Sequence, residues 1–232
     1  HNVRSYYLRV YEAKFVLGAI AAALSENDEI GYIADYPIYG TPTSINAFAL
    51  GAQMVNPRAK IVLEWSTLPG HSPEAALAAR GVHIISSRDI SAPHLESRAF
   101  GLYHEQDGVI ANLAMPIWNW GKLYEGIVRS ILTGAWSDEG EHNADRAMNY
   151  YMGMSTDAID IICSQRLPAR TRRLVDLLHE RIRAGAFLPF VGPIVDQAGQ
   201  VRVAADVALT PQEIILMDYL AGNVIGRIPS VD

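Results

Sequence analysis

IGYIADYPIYGTPTSINAFALGAQMVNPRAKIVLEW, residues 30–65, holds a strand, a loop, a helix and a second strand in succession, and its reading decides the fold. Residues 30–34 form a short unbroken apolar run, as parallel strands require, because such strands are covered on both faces. Residues 35–43 are polar and contain proline, which predicts the loop that leaves the strand. A helix is predicted from residue 44 to residue 55; it stops at Asn56-Pro57, where proline moves the preceding residue out of helical geometry. Residues 60–65 are a second buried strand.

The pattern continues in both directions. Upstream, apolar residues recur at helical spacing over residues 7–24, and Gly18, Ala19, Ala22 and Ala23 are expected to let that helix close on a sheet. Downstream, residues 66–72 read as a loop and residues 73–80 as a helix with proline first and Gly81 at its end; residues 82–85 give a third strand. Strand, loop and helix in repetition define an α/β fold with a parallel sheet and crossover helices. Residues 100–103 and 109–114 can extend the sheet around an Asp107-Gly108 turn, and a helical run over 122–132 closes at Gly134. Residues 137–146 look like an exposed connection, and 168–184 like an amphipathic helix ending at Gly185. Residues 187–191 and 201–203 read as strands around an Asp196 to Gly199 turn, and Thr210 with Glu213 forms a capping box for the last helix.

Bulk chemistry narrows the function classes. Across 232 residues the formal net charge is −6, so the chain lacks the basic surface that drives binding to a phosphate backbone, and no nucleic-acid partner is expected. The one basic run, residues 166–173, reads as a solvated helix face. A single cysteine, Cys163, excludes an internal disulfide and any multi-cysteine metal site. Seven histidines are scattered without ligand spacing, so no metal is expected. No signal-peptide pattern opens the chain as it stands, and the longest apolar run, residues 15–24, is too short to span a bilayer. There is no G-x-G-x-x-G or G-x-x-x-x-G-K-[ST] phosphate loop, no G-x-S-x-G and no H-E-x-x-H, so neither a nucleotide cofactor nor catalytic residues are expected.

What remains is a set of groups suited to a flat ligand. Trp118-Asn119-Trp120-Gly121 places two indoles and an amide where a loop is predicted to become a helix. Indole faces stack on planar rings, and an Asn amide both donates and accepts at a ring edge. Two tryptophans at i and i+2 on a helix would point to opposite sides, one to the core and one to a pocket. Loops at the carboxyl ends of the inferred parallel strands, where open α/β sheets bind ligands, carry Asp35, Tyr36 and Tyr39, then Trp65 and Ser66, then Ser86, Ser87, Arg88 and Asp89. Trp65 ends an apolar strand and is expected in the core. The candidate ligand-binding set is therefore Trp118, Asn119, Trp120, Tyr36, Tyr39, Ser66, Ser86 and Asp89.

With these residues assembled, the chain resembles the basic membrane protein family, the Bmp/PnrA-like substrate-binding proteins of ABC importers. Tyr11-Glu12-Ala13-Lys14-Phe15 with Gly18 is similar to the family's Y-E-A-[RK]-F-x-x-G, and Ile30-Gly31-Tyr32 with Pro37-Ile38 to its I-G-Y-V-x-x-x-P-I. Ile45-Asn46-Ala47-Phe48 with Gly51-Ala52 and Val55-Asn56-Pro57 resembles I-N-A-F-x-x-G-A-x-x-V-N-P, and Trp118 to Gly121 resembles W-N-W-G. Gly192-Pro193-Ile194 with Asp196-Gln197 and Gly199 resembles G-P-I-x-D-Q-x-G, and Met217-Asp218 lies in the tail pattern. The six pieces stand in the family's order.

The resemblance implies a type I periplasmic-binding-protein fold, two α/β lobes joined by a hinge, holding a purine base or nucleoside in the cleft and releasing it unaltered to an ABC permease. It implies that the first lobe would precede His1, so that residues 1–134 form an α/β lobe and residues 135–232 supply hinge crossings, the remainder of the other lobe and the tail. It implies an extracytoplasmic lipoprotein at the plasma membrane. The alternative is a ligand sensor of the same fold, cytoplasmic or membrane-associated, attached to an upstream regulatory module. An enzyme on nucleosides would need an acid or base, for which Asp35, Asp89 and Asp107 are available. Apolar surface left by an absent lobe could be covered by an upstream segment or by homo-oligomerisation.

Overall fold

The computed structural model describes residues 5–89, 98–134 and 150–229. The predicted connection over 137–146 therefore lies outside the described residues. A short strand β1 (Tyr6–Leu8) leads into helix α1 (Val10–Leu24), followed by β2 (Glu29–Ala34), α2 (Thr41–Val55), β3 (Lys60–Trp65), α3 (Pro73–Ala79) and β4 (Ile84–Ser86). The hairpin β5 (Leu102–Gln106) and β6 (Val109–Trp118) precedes α4 (Trp120–Leu132). Then come β7 (Tyr150–Met152), a 3-10 turn (Met154–Thr156), β8 (Ile159–Cys163) and α5 (Ala169–Arg183). The tail carries β9 (Ile194–Val195), β10 (Val201–Val203), α6 (Pro211–Ile215) and β11 (Val224–Ile225).

Seven strands form one sheet in the order β11-β3-β2-β4-β5-β6-β8. The pairs β11/β3, β3/β2 and β2/β4 are parallel, whereas β4/β5, β5/β6 and β6/β8 are antiparallel, so five strands run one way and two the other. This is the expected mixed α/β layer with a mostly parallel centre. Residues from beyond 134 contribute β8 and β11, so the sheet draws on both of the segments that the sequence reading separated. Outside it lie two ribbons, parallel β1/β7 and antiparallel β9/β10. Residues 187–191, expected as a strand, are not one; only Val191 makes an isolated bridge, to Ala208. The first strand of that ribbon sits three residues later, where Ile194 buries against the main core and Val195 faces out.

Strand alternation sorts the two faces. On β2, Ile30, Tyr32 and Ala34 join the larger core with α1, α2 and α5, while Ile33 faces the smaller one with Val62, Leu77 of α3, Val82, Ile85 and Tyr103. Helices thus cover both sides, which explains why β2 and β3 read as continuous apolar runs. The chain moves from β2 to β3 on one side and then crosses to β4 on the other, and this reversal opens a crevice between β2 and β4 at their carboxyl ends.

Helix α1 is buried on nearly every side, from Tyr11 to Ala22. Helix α1 meets β4, β6 and β8 of the sheet, and its Gly18 serves a closer contact with α2. A Cβ on Gly18 would stand 2.0 Å from the carbonyl oxygen of Phe48 on α2, and one on Gly51 would stand 1.9 Å from that of Phe15 on α1. Each helix presents a glycine to the other's backbone, and no side chain fits between them. Overpacking such a contact costs about 1–3 kcal/mol. Gly18→Ala is therefore expected to lower stability by about that amount in urea unfolding. Gly121→Ala, in α4 with open space at its Cβ position, is expected to be neutral or slightly stabilising; equal losses in both variants would refute the close-contact account.

Candidate functional site

The β2/β4 crevice is an open-sided cleft of about 520 Å³, within the range of small-molecule sites. Its lining includes Tyr7, Lys14, Tyr36, Tyr39, Asp89 and Trp118. They come from five parts of the scaffold: β1, α1, the loop after β2, which carries both Tyr36 and Tyr39, the loop after β4 and the end of β6. The β2 loop is held by Thr41 Oγ1, which donates to the Tyr36 carbonyl at 2.9 Å, and by Gly40, whose φ of +85° precedes α2. That left-handed turn suits glycine. It leaves Tyr36 and Tyr39 63% and 83% exposed, free to close on a ligand.

In the floor of the cleft lies a charge that the sequence reading did not single out. Lys14, fully enclosed by α1 and its neighbours, places Nζ 2.6 Å from Asp89 Oδ1 and 3.4 Å from Ser86 Oγ, with the Tyr32 ring 5.3 Å away. Burial works against the charged lysine, but Asp89 and Tyr32 outweigh it and hold the ammonium above the usual lysine range. The available signal was a cation inside a helix with no polar face. Burial likewise pushes the Tyr7 and Tyr32 hydroxyls up, so both remain protonated donors at neutral pH. At the mouth, Arg88 Nε lies 3.8 Å from Asp35 Oδ1. Lys14 and Arg88 offset Asp35 and Asp89, so the four charged lining residues sum to zero.

The eight expected ligand residues separate into three groups. Tyr36, Tyr39, Asp89 and Trp118 line the cleft together. Trp120 lines an adjoining hollow of about 380 Å³, which shares Asp89 and Trp118 with the cleft. Ser86, Ser66 and Asn119 are absent from both linings. Ser86 is sealed under the floor against Lys14, and Ser66 donates to Asp35. Asn119 Nδ2 donates to the Asp157 carbonyl at 2.8 Å, tying the start of α4 to the turn before β8. The two indoles are not a pair on one helix: Trp118 ends β6 and Trp120 begins α4, so backbone direction changes between them. Trp120 instead meets Tyr6 edge to face, with centroids 6.1 Å apart. Trp65 is core as expected, with Nε1 donating to the Arg227 carbonyl.

Other titratable clusters lie elsewhere. Burial, with Asp176 and Asp160 nearby, pushes the Cys163 thiol up to about 11, which makes it a poor nucleophile. No group of three or more His, Cys, Asp or Glu side chains among the described residues could hold a metal ion. No described helix is long and apolar enough to cross a membrane.

A mostly parallel sheet with a cleft at its strand ends, lined by aromatic rings and internally neutralised charges, is the architecture of a small-molecule binding lobe. Comparison with known proteins agrees. The family model for Bmp, described as ABC transporter substrate-binding protein PnrA-like, matches residues 1–77. A purine-binding protein of Brucella abortus (strain 2308) is 27% identical over 241 residues, covering 98% of this chain and 66% of that protein. A putative ABC transporter glucose-binding protein, TsgA13 of Haloferax volcanii, is 32% identical over 149 residues, covering 58% of this chain and 38% of that protein. An ABC transporter solute-binding protein from Conexibacter woesei superposes with a TM-score of 0.54 at 15% identity, over 81% of this chain and 65% of that one, which speaks to the fold. Over residues 1–77 the chain is thus similar to the Bmp/PnrA-like substrate-binding proteins, and the two relatives named here are binding proteins by name. It spans about two thirds or less of the length of these relatives.

The Lys14 to Asp89 contact yields a stability test. Removing one partner of a buried ion pair costs about 3–5 kcal/mol, and Asp89, with its side chain 17% exposed, places Lys14→Met near the lower end. Because the lysine is raised in the folded state, its contribution is complete below the unfolded lysine value and is lost only as pH rises through the folded one. Lys14→Met should therefore lose about 3 kcal/mol in urea unfolding, with the same deficit at pH 6 and pH 9. A deficit that shrinks between those values would contradict the assignment.

Proposed function

We propose that this chain contributes one wall of the ligand cleft of an ABC importer's substrate-binding protein, and that its ligand is a purine base or nucleoside taken up and released without chemistry. The observation that carries this reading is the convergence of Trp118, Tyr36, Tyr39 and Asp89 on one cleft at the β2/β4 switch point. Half-buried Trp118 offers a rigid ring face, and the exposed tyrosines offer two more on a loop that can fold over. Aromatic stacking on a base contributes about 1–3 kcal/mol per contact in nucleic-acid binders. The cleft's charges cancel in pairs, which suits an uncharged ring with N–H and hydroxyl donors better than a phosphorylated one.

The relative matching 98% of this chain is named for purine binding, which supports the same choice. A sugar is the second reading, favoured by the name of the Haloferax volcanii relative, and aromatic faces also pack against sugar rings. On the leading reading the partner is an ABC permease, and the protein works outside the cytoplasm, held to the membrane as a lipoprotein. Domain assignment follows: residues 1–134 carry the cleft wall, and residues 135–232 add sheet strands, hinge crossings and the tail.

Titration calorimetry with adenine, inosine and glucose separates these readings. Purine binding is expected, and Trp118→Ala should weaken it about tenfold or more, roughly 1.4 kcal/mol. Glucose binding with no purine heat would move the assignment to sugars, and unchanged purine affinity in Trp118→Ala would remove the stacking role.

A further inference from the structure

The loop after β4 is fixed unevenly. Ser87 and Arg88 are tied by backbone bonds, with Ser87 N–H donating to the Gly101 carbonyl at 2.8 Å and Gly101 N–H donating to the Arg88 carbonyl. Asp89, one residue further, makes no such bond among the described residues; there its polar contact is the Lys14 ammonium, on carboxylate oxygen Oδ1. Oδ2 has no hydrogen-bond partner among the described residues, and Asp89 lines both the cleft and the adjoining hollow.

Net stability does not explain a lysine at this place. Apolar groups of similar volume usually replace a buried ion pair at no cost, and the surroundings of Lys14 on α1 are apolar: Ala13, Phe15, Val16 and Leu17 are all core. What an ammonium supplies, and methionine does not, is a fixed point for a carboxylate. It engages one oxygen from below and leaves the other for whatever occupies the cleft.

We infer that Lys14 is a positioning residue for ligand recognition: from the cleft floor it clamps Oδ1 of Asp89, so that Oδ2 stands at the β2/β4 cleft as a charged acceptor for an N–H or O–H donor of the ligand. This rests on the small-molecule reading above and deepens it. Asp89 touches the ligand; Lys14, in the cleft floor with its side chain only 3% exposed, acts through Asp89. The clamp also explains why Ser86 lies beside the lysine instead of in the cleft, since its hydroxyl accepts a second hydrogen bond from the ammonium.

A double-mutant cycle on the full chain tests the assignment with adenine and inosine as probes. Lys14→Met and Asp89→Asn should each weaken binding about tenfold or more, and the double variant should be no weaker than the poorer single one. Lys14→Arg, which restores a cation, should return affinity to within about threefold of the wild type. The double variant leaves no unpaired buried charge, so it remains foldable where Lys14→Met alone is destabilised. Additive losses, or Lys14→Met binding as the wild type does, would overturn the inference.

A wild type that binds neither probe would instead sink the purine reading, and the clamp would then be judged without ligand. The backbone order parameter of Asp89 should fall in Lys14→Met, while Ser87 and Gly101, held by their own backbone bonds, keep their amide exchange rates. An Asp89 as ordered in Lys14→Met as in the wild type would overturn the clamp as well.

Discussion

The carbonyl oxygens of Phe15 and Phe48 occupy the space that a side chain at Gly51 or Gly18 would need, and this mutual seat of α1 on α2 sets the rest of the molecule. It draws the two helices together over one face of the sheet and leaves α1 almost no contact with water. An enclosed helix must be apolar or must pair whatever charge it carries. Both of its charges are paired. Glu12 accepts from the Met154 amide at 2.8 Å and meets Arg9, which fastens the start of α1 to the turn after β7. Lys14, two residues on, reaches the other way and meets Asp89 in the cleft floor. A single buried helix therefore secures both the β1/β7 ribbon and the carboxylate at the cleft.

The tail uses the same logic from the far side. Asn46 of α2 donates to the Tyr219 carbonyl and accepts from the Ala221 amide, and Asn223 donates to the Ala49 carbonyl, so β11 is led back beside β3. Asp196 accepts from the amides of Ala198 and Gln200 and from Arg202, and these contacts hold its carboxyl below the usual range. The family-like motif around Gly192 to Gly199 thus has a structural explanation of its own. A Cβ on Gly192 would stand 2.0 Å from the Ala204 carbonyl oxygen, and the Asp196 turn closes the β9/β10 ribbon.

Much of this was legible in the sequence because β2 and β3 are covered on both sides and so read as unbroken apolar runs, while Pro57, Pro73 and Gly81 mark boundaries through backbone geometry alone. The Thr210 to Glu213 capping box opens a helix as its spacing implies. Side-chain partners were not legible. Nothing local shows that Gly18 meets α2, or that Ser86 points down and not into the cleft, because those facts depend on contacts between residues 30 and 72 positions apart. Trp118 and Trp120 were expected to share a helix, and the strand β6 runs four residues further than its apolar pattern suggests before α4 begins. Lys14 was visible as a letter in a motif, but its meaning required Asp89, which lies 75 residues away.

The central claim is that a planar nitrogenous ligand sits in the β2/β4 cleft against Trp118 and Asp89. Amide chemical-shift mapping of the isotope-labelled chain during titration with adenine tests it most directly. The account predicts saturable shifts concentrated at Asp35, Tyr36, Arg88, Asp89 and the Trp118 indole, with the β9/β10 ribbon and α5 undisturbed. Shifts clustered instead around Asp218 and Tyr219 in the tail, or saturable binding that leaves the Trp118 indole unmoved, would contradict it.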